Sequence, residues 1–209
     1  MTLPWPATAA LTAFVAASLV LAVLPGPGVL YIVTRSLVQG RRSGLLSAAA
    51  MALGNLICGL LVALGVTAVI AASSVVFALL RYAGAAYLVY LGLRMMLASP
   101  PAADAAPPAS QRRVFLDGLV VALLNPKTIL FFAAFLPQFM ERAQPSFLQA
   151  SLLVTVFVLI AFITDSSYAL AAGWIAAPLA RSQRAQLLSR RIGGSLLVVL
   201  GILAALSGR

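Results

Sequence analysis

Hydrophobic positions along the chain gather into six long runs, at about 9–34, 44–71, 75–97, 114–136, 147–173 and 192–206. Crossing a bilayer core takes roughly 20 apolar residues per helix, so the pattern predicts six transmembrane helices. The sixth run is short, and Leu187 and Leu188 extend it. Between the third and fourth runs, Ser99 to Gln111 holds four prolines and several alanines. This segment reads as a disordered or extended linker.

Two runs are interrupted at matching places. Ala22-Val23-Leu24-Pro25-Gly26-Pro27 in the first lies over Ala122-Leu123-Leu124-Asn125-Pro126-Lys127 in the fourth. A second match joins the third and sixth runs. There Arg81-Tyr82-Ala83-Gly84 with Leu88, Leu91 and Gly92 lies over Arg190-Arg191-Ile192-Gly193 with Leu197, Leu200 and Gly201. Each half then contains three helices, and an odd number inverts the second half relative to the first. The expected fold is therefore an all-α membrane protein of six transmembrane helices. It has two inverted three-helix repeats, with helices 1 and 4 broken at the proline motifs. Residues 1–209 form a single transmembrane domain, with repeat one at about 9–97, the linker at 98–113 and repeat two at about 114–206. Matched broken helices in inverted repeats point to a secondary transporter, with substrate bound where the breaks meet.

Composition agrees with the pattern. Of the 209 residues, 63% are apolar and 9% charged, and the mean hydropathy is +1.08. A soluble domain is about half apolar and about a quarter charged. The net charge of +10 would suggest nucleic acid in a soluble protein. Here it marks topology. Ten of the fourteen basic residues follow spans one, three and five: Arg35, Arg41, Arg42, Arg94, Arg112, Arg113, Arg181, Arg184, Arg190 and Arg191. By the positive-inside rule these face the cytoplasm, so both termini lie outside. The same asymmetry favours anionic lipid headgroups, and no nucleic-acid partner is expected.

Counts exclude whole chemistries. The chain has no histidine and one cysteine, Cys58. Histidine metal ligands, Ser-His or Cys-His catalytic pairs and a CxxC redox pair are absent, so no metal, cofactor or catalytic residue is expected. An intramembrane enzyme lacks its catalytic set, and a redox carrier lacks paired cysteines. The four acids are Asp104, Asp117, Glu141 and Asp165.

The candidate site follows from what remains inside the spans. Pro25, Gly26 and Pro27, with Gly28 beside them, cannot continue a regular helix, because proline lacks an N–H and glycine costs helix propensity. The freed backbone groups need protein or water as partners, so the break should face the interior, as a substrate-contacting hinge or, structurally, as a packing kink. Asn125, Pro126 and Lys127 form the sharper feature. Lys127 lies about 13 residues into span four, roughly 20 Å deep at 1.5 Å per residue. A lysine at that depth costs about 2.5–3.5 kcal/mol on insertion scales. Beside a restarted helix N-terminus it suits an anion such as a substrate carboxylate. A lysine snorkelling to an interface, or pairing with an acid, is the structural alternative. Asp165 is the carboxylate well inside a span, able to exchange a proton or to bind an ammonium group. Ion pairing with Lys127 is its structural alternative. Asn55 holds a comparable place in span two, suited to substrate or to a helix–helix hydrogen bond. Asp117 opens span four, where helix capping is sufficient reason for it. Tyr82, Tyr87 and Tyr90 read as packing or interfacial residues. The glycines at 84, 92, 193, 194 and 201 read as close-packing positions. Small residues on spans two and six suit a homo-oligomer or packing within one chain.

These residues resemble the LysE/RhtB family of amino-acid exporters. The likeness rests on Leu24-Pro25-Gly26-Pro27, on the run from Ala83 to Gly92, on Leu124-Asn125-Pro126-Lys127, on Asp165 with Tyr168, and on Arg191-Ile192-Gly193-Gly194 with Leu200-Gly201. It covers about residues 10–206. It implies export of amino acids or close derivatives from a bacterial cytoplasm, across the inner membrane, driven by the proton gradient. Many members carry Asp or Asn after the Pro-Gly-Pro, where this chain has Gly28. The expected mechanism is proton antiport. The substrate carboxylate meets Lys127 and the helix N-terminus, its ammonium meets Asp165 or nearby carbonyls, and Asp165 carries the proton. One buried acid favours a neutral amino acid over a cationic one. The alternative is a non-transporting integral membrane subunit or receptor.

Overall fold

The computed structural model describes residues 8–24, 26–65, 74–97, 110–140, 147–179 and 183–206. Among them every regular element is helical. They are α1 (Thr8–Val23), α2 (Pro27–Gln39), α3 (Arg41–Ala63), α4 (Ser74–Leu97), α5 (Gln111–Leu123), α6 (Pro126–Phe135), a 3-10 turn (Leu136–Phe139), α7 (Phe147–Leu179) and α8 (Gln183–Leu206). The linker at 98–109 and the apolar residues 66–71, read as the end of span two, lie outside the described residues. So does Pro25.

Within the described residues, α3 and the Phe147–Ile175 part of α7 are each long and apolar enough to cross a bilayer. The pair α1 and α2 meets this test jointly and is bent by 49°. The pair formed by α5 with α6 and its 3-10 turn also meets it, bent by 46°. Shorter apolar stretches occupy Tyr82–Leu97 in α4 and Arg191–Leu203 in α8. Both bent pairs restart with proline in the first helical position, Pro27 and Pro126. Proline is suited there because its missing N–H has no intrahelical partner to lose. These starts align Pro27 with Pro126, one residue less than the offset that laid Pro25 over Asn125. Gly28 then corresponds to Lys127.

Helix ends differ from the hydrophobic runs where arginines extend them. Arg41 and Arg42 open α3, Arg112 and Arg113 open α5, and Arg184, Arg190 and Arg191 lie within α8. The connection between α2 and α3 is one residue, Gly40, at φ +84. A side chain there would be strained, and glycine supplies the left-handed turn.

Among the described residues the packed interior consists of two apolar clusters. One joins Phe14 of α1, Cys58 of α3, Phe131 and Phe132 of α6, and Leu153, Val154, Phe157 and Ala161 of α7. The other joins Tyr31 and Ile32 of α2, Met51 of α3, Leu88 and Leu91 of α4, Val121 of α5, Ala169 of α7 and Leu197 of α8. Along α3 the order is Met51, Asn55, Cys58. Along α7 it is Ala161, Asp165, Ala169. The buried polar residues Asn55 and Asp165 thus fall between the clusters on both helices. Outer faces are apolar: Ile163 is 65% exposed two residues from Asp165, which is 7% exposed. An apolar surface of this extent belongs in lipid, not in water.

Helix α4 packs along α8 with the two backbones nearly in contact. A Cβ on Gly92 would stand 2.5 Å from the Gly194 carbonyl oxygen, and one on Gly201 would stand 2.6 Å from that of Ala85. Small residues allow this approach, on which helix association in lipid depends.

Candidate functional site

A cleft of about 420 Å³, its mouth included, lies between the two clusters where the bent pairs change direction. Its walls include Gly26, Gly28, Met51, Asn55, Asn125, Lys127, Thr128 and Asp165. Of the residues singled out in the sequence, Gly26, Asn55, Asn125, Lys127 and Asp165 therefore share one cavity. Pro27 and Pro126 instead line a second, smaller recess with Gly84, Ala85, Leu88, Val121 and Leu124. Asn125 borders both.

The two helix restarts are finished differently. Asn125 caps α6: its side-chain Oδ1 accepts a hydrogen bond from the Lys127 backbone N–H at 3.1 Å. The Ile129 N–H donates to the Asn125 carbonyl at 3.2 Å. Gly26, the corresponding cap of α2, has no side chain and makes no such bond. The first turn of α2 therefore starts without a side-chain cap beside the cleft, which Gly26, Gly28 and Val29 line. A helix N-terminus of this kind favours an anion.

Lys127 makes no ion pair with Asp165; its partners are backbone carbonyls. Its Nζ donates to the carbonyl of Leu21 at 2.6 Å and to that of Leu24. Among the described residues no ion pair within 4.0 Å joins it to an acid. The lysine thus caps the frayed C-terminal end of α1, where carbonyls have lost their helical partners. Tyr168, one turn beyond Asp165 on α7, donates from its hydroxyl to the Val23 carbonyl at 2.9 Å. Close approach at Gly26 makes room for the lysine, since a Cβ there would lie 3.1 Å from Lys127 Cδ. Gly28 faces Met51 and the Asn125 side-chain amide.

A second buried polar group is not singled out by the sequence. Arg35 Nη2 donates to Asp117 Oδ2 at 2.7 Å, and the two side chains are only 7% and 10% exposed. The Tyr87 hydroxyl donates to Asp117 Oδ1 at 3.1 Å. Arg35 Nε donates to the Tyr31 hydroxyl at 3.0 Å, and that hydroxyl donates to the Val114 carbonyl at 3.0 Å. Asp117 therefore does not act as a helix cap. It lies beyond the first turn of α5, which contains no acid. Arg35 is likewise not a solvated topology marker, and Tyr87 does more than pack. The usable signal is scarcity: a second acid inside a span, among only four in the chain, demands a partner.

Bent apolar helix pairs around a cleft with a half-buried lysine, a buried aspartate and two buried asparagines define a multi-pass membrane protein with an internal polar site. The chain belongs to the LysE type translocator family, whose model matches residues 19–208. It is 32% identical over 196 residues to the homoserine/homoserine lactone efflux protein of Salmonella typhi, covering 92% of this chain and 95% of that one. It is 30% identical over 135 residues to the leucine efflux protein of Salmonella choleraesuis, covering 63% and 64% respectively. It is also 38% identical over 125 residues to an uncharacterised membrane protein of Pseudomonas aeruginosa, covering 56% and 58%. No solved structure matches the chain. Family membership places the protein among translocators rather than enzymes.

Proposed function

We propose that this protein exports neutral amino acids or close derivatives from the bacterial cytoplasm across the inner membrane, in exchange for protons. The observation that carries the reading is the polar belt of Asn55, Asn125, Lys127 and Asp165, enclosed between two apolar clusters at the helix breaks. The efflux proteins to which the chain is similar are named for homoserine, its lactone and leucine. These support a small substrate without a charged side chain.

In this reading the six spans form two inverted repeats, with both termini outside. The bent pairs are spans one and four. The substrate carboxylate binds at the first turn of α2, beside Gly26 and Gly28, and competes with the Leu21 and Leu24 carbonyls for Lys127. Its ammonium group meets Asp165, with Asn55 and Asn125 as neutral hydrogen-bonding partners. Asp165 takes up a proton from outside and releases it to the cytoplasm. One charge moving through 100 mV supplies about 2.3 kcal/mol, enough to drive modest accumulation outside. A single acid in the cleft leaves no second anion for a cationic side chain. Lipid is the structural partner.

Purified protein in proteoliposomes, given a panel of radiolabelled amino acids with and without an imposed pH gradient, tests this directly. Flux of small neutral amino acids that follows the gradient is expected. Flux indifferent to the gradient would remove the antiport part. No flux of any amino acid would remove the export reading.

A further inference from the structure

We propose that Arg35 and Asp117, with Tyr31 and Tyr87, form a latch that closes the cytoplasmic side of the substrate cleft and opens in each transport cycle. The inference rests on the export reading and its orientation. It concerns residues that do not line the cleft.

The first observation is placement. Arg35 and Tyr31 belong to α2, Asp117 and Val114 to α5, and Tyr87 to α4. The hydrogen bonds therefore fasten together the half-helices of the two bent pairs on one side of the breaks. On the other side the remaining half-helices meet differently. The Phe14 ring of α1 lies 6.0 Å from that of Phe131 in α6 and 5.3 Å from that of Phe139 in the 3-10 turn. One side of the breaks is packed by aromatic rings; the other carries the ion pair beside the apolar cluster of Tyr31, Ile32, Val121 and Leu197.

The second observation is burial. Arg35 lies one turn from the end of α2, and a basic residue there serves topology best when hydrated. Instead its guanidinium is turned inward, 5.1 Å from the Tyr31 ring centre and against Asp117. Arg94 of α4, partly exposed, stands 3.8 Å from the same carboxylate. Two arginines converge on one acid.

The chemistry suits a seal that must part. Separating apolar surfaces exposes them to water at a cost that grows with area. A buried ion pair differs, because its attraction is largely offset by the hydration both charges lost. When α2 and α5 separate, water enters and replaces the broken bonds. The ion pair is thus tight when dry and adds little of its own to the cost of parting the helices toward an aqueous compartment. Arg94 is placed to hold Asp117 from the hydrated edge while Arg35 lets go.

The test reads cleft accessibility without substrate. A reporter thiol is introduced by Thr128→Cys in a Cys58→Ala background, since Thr128 lines the cleft and is buried. Its labelling by a membrane-impermeant maleimide is timed in inside-out and right-side-out vesicles. Adding Asp117→Asn is expected to speed labelling from the cytoplasmic face by about tenfold, the shift that one charge-assisted hydrogen bond supports. Labelling from outside should not rise. Tyr87→Phe, which removes one bond to Asp117, should give a smaller rise on the same side and decides the matter if Asp117→Asn fails to fold. Unchanged labelling, an equal rise from both faces, or a rise from outside alone would overturn the latch. Side-specific labelling without amino-acid flux would remove the export reading and leave the latch standing. Intact flux with unresponsive labelling would do the reverse.

Discussion

Lys127 has two tasks that substitution can separate. It caps the carbonyls of Leu21 and Leu24, and in the proposed cycle it yields to a substrate carboxylate. Lys127→Ala leaves those carbonyls without their donor, so the protein should lose thermal stability in detergent. The bond to the Leu21 carbonyl is the part-buried one, and leaving such a group unsatisfied costs about 1–3 kcal/mol. Lys127→Arg keeps a donor and should recover most of the loss. Unchanged melting of the alanine variant would contradict the capping role. At Asn125, replacement by alanine removes the only side-chain cap seen at either helix restart, at a cost of about 1 kcal/mol. Asp165→Asn should leave substrate exchange measurable but insensitive to an imposed pH gradient, read as counterflow with and without that gradient. Residue types alone point to the side chains lining the cleft, because a lysine and a carboxylate inside apolar runs have few uses. They do not reveal what Lys127 touches, since its partners are backbone carbonyls and carry no signature in the sequence.

At the scale of elements, prolines marked in the sequence coincide with the starts of two helices beside the two bends. Pro27 and Pro126 each open a helix, as the chemistry of the first helical turn requires. The register of the two breaks is less legible. Aligned apolar residues tolerate a slip of one position, whereas the helix starts do not. Ends of helices are also obscured, because the arginines at 41, 42, 112, 113 and 184 look like connections although a helix continues through them. The glycine spacing on α4 and α8 does signal close packing: the two helices meet at Gly92, Gly194 and Gly201, while Gly84 lies against the Leu124 carbonyl and Gly193 against Thr34 of α2. Gly92→Val should therefore prevent these helices from docking, since its side chain would meet the Gly194 carbonyl. A loss of more than about 2 kcal/mol is expected, seen as reduced yield and a lower melting temperature. Stability equal to the parent would contradict the close packing.

For the whole molecule, the arrangement is two apolar clusters with a polar layer between them. That layering is implicit in the order of residues along α3 and α7, but only packing shows that both helices place their polar residue at one level. The Arg35–Asp117 pair is harder to foresee. Its members are 82 residues apart in sequence, and each has a sufficient local explanation, as a topology marker and as a helix cap. The proposed orientation rests on the charge asymmetry and has its own test. A thiol introduced by Arg113→Cys in a Cys58→Ala background should be labelled from the cytoplasmic face, and one introduced by Phe147→Cys from outside. Both positions are exposed. Reversed labelling would contradict the assignment.

The central claim is that the cleft between the helix breaks binds the transported amino acid through Lys127 and Asp165. The most direct measurement is exchange of a radiolabelled neutral amino acid across proteoliposomes, at equal pH on both sides, for the parent protein, Lys127→Ala and Lys127→Arg. The account predicts saturable exchange by the parent. It predicts a loss of about tenfold or more for Lys127→Ala, equivalent to one charge-assisted contact, with Lys127→Arg intermediate. Full exchange by folded Lys127→Ala would contradict it.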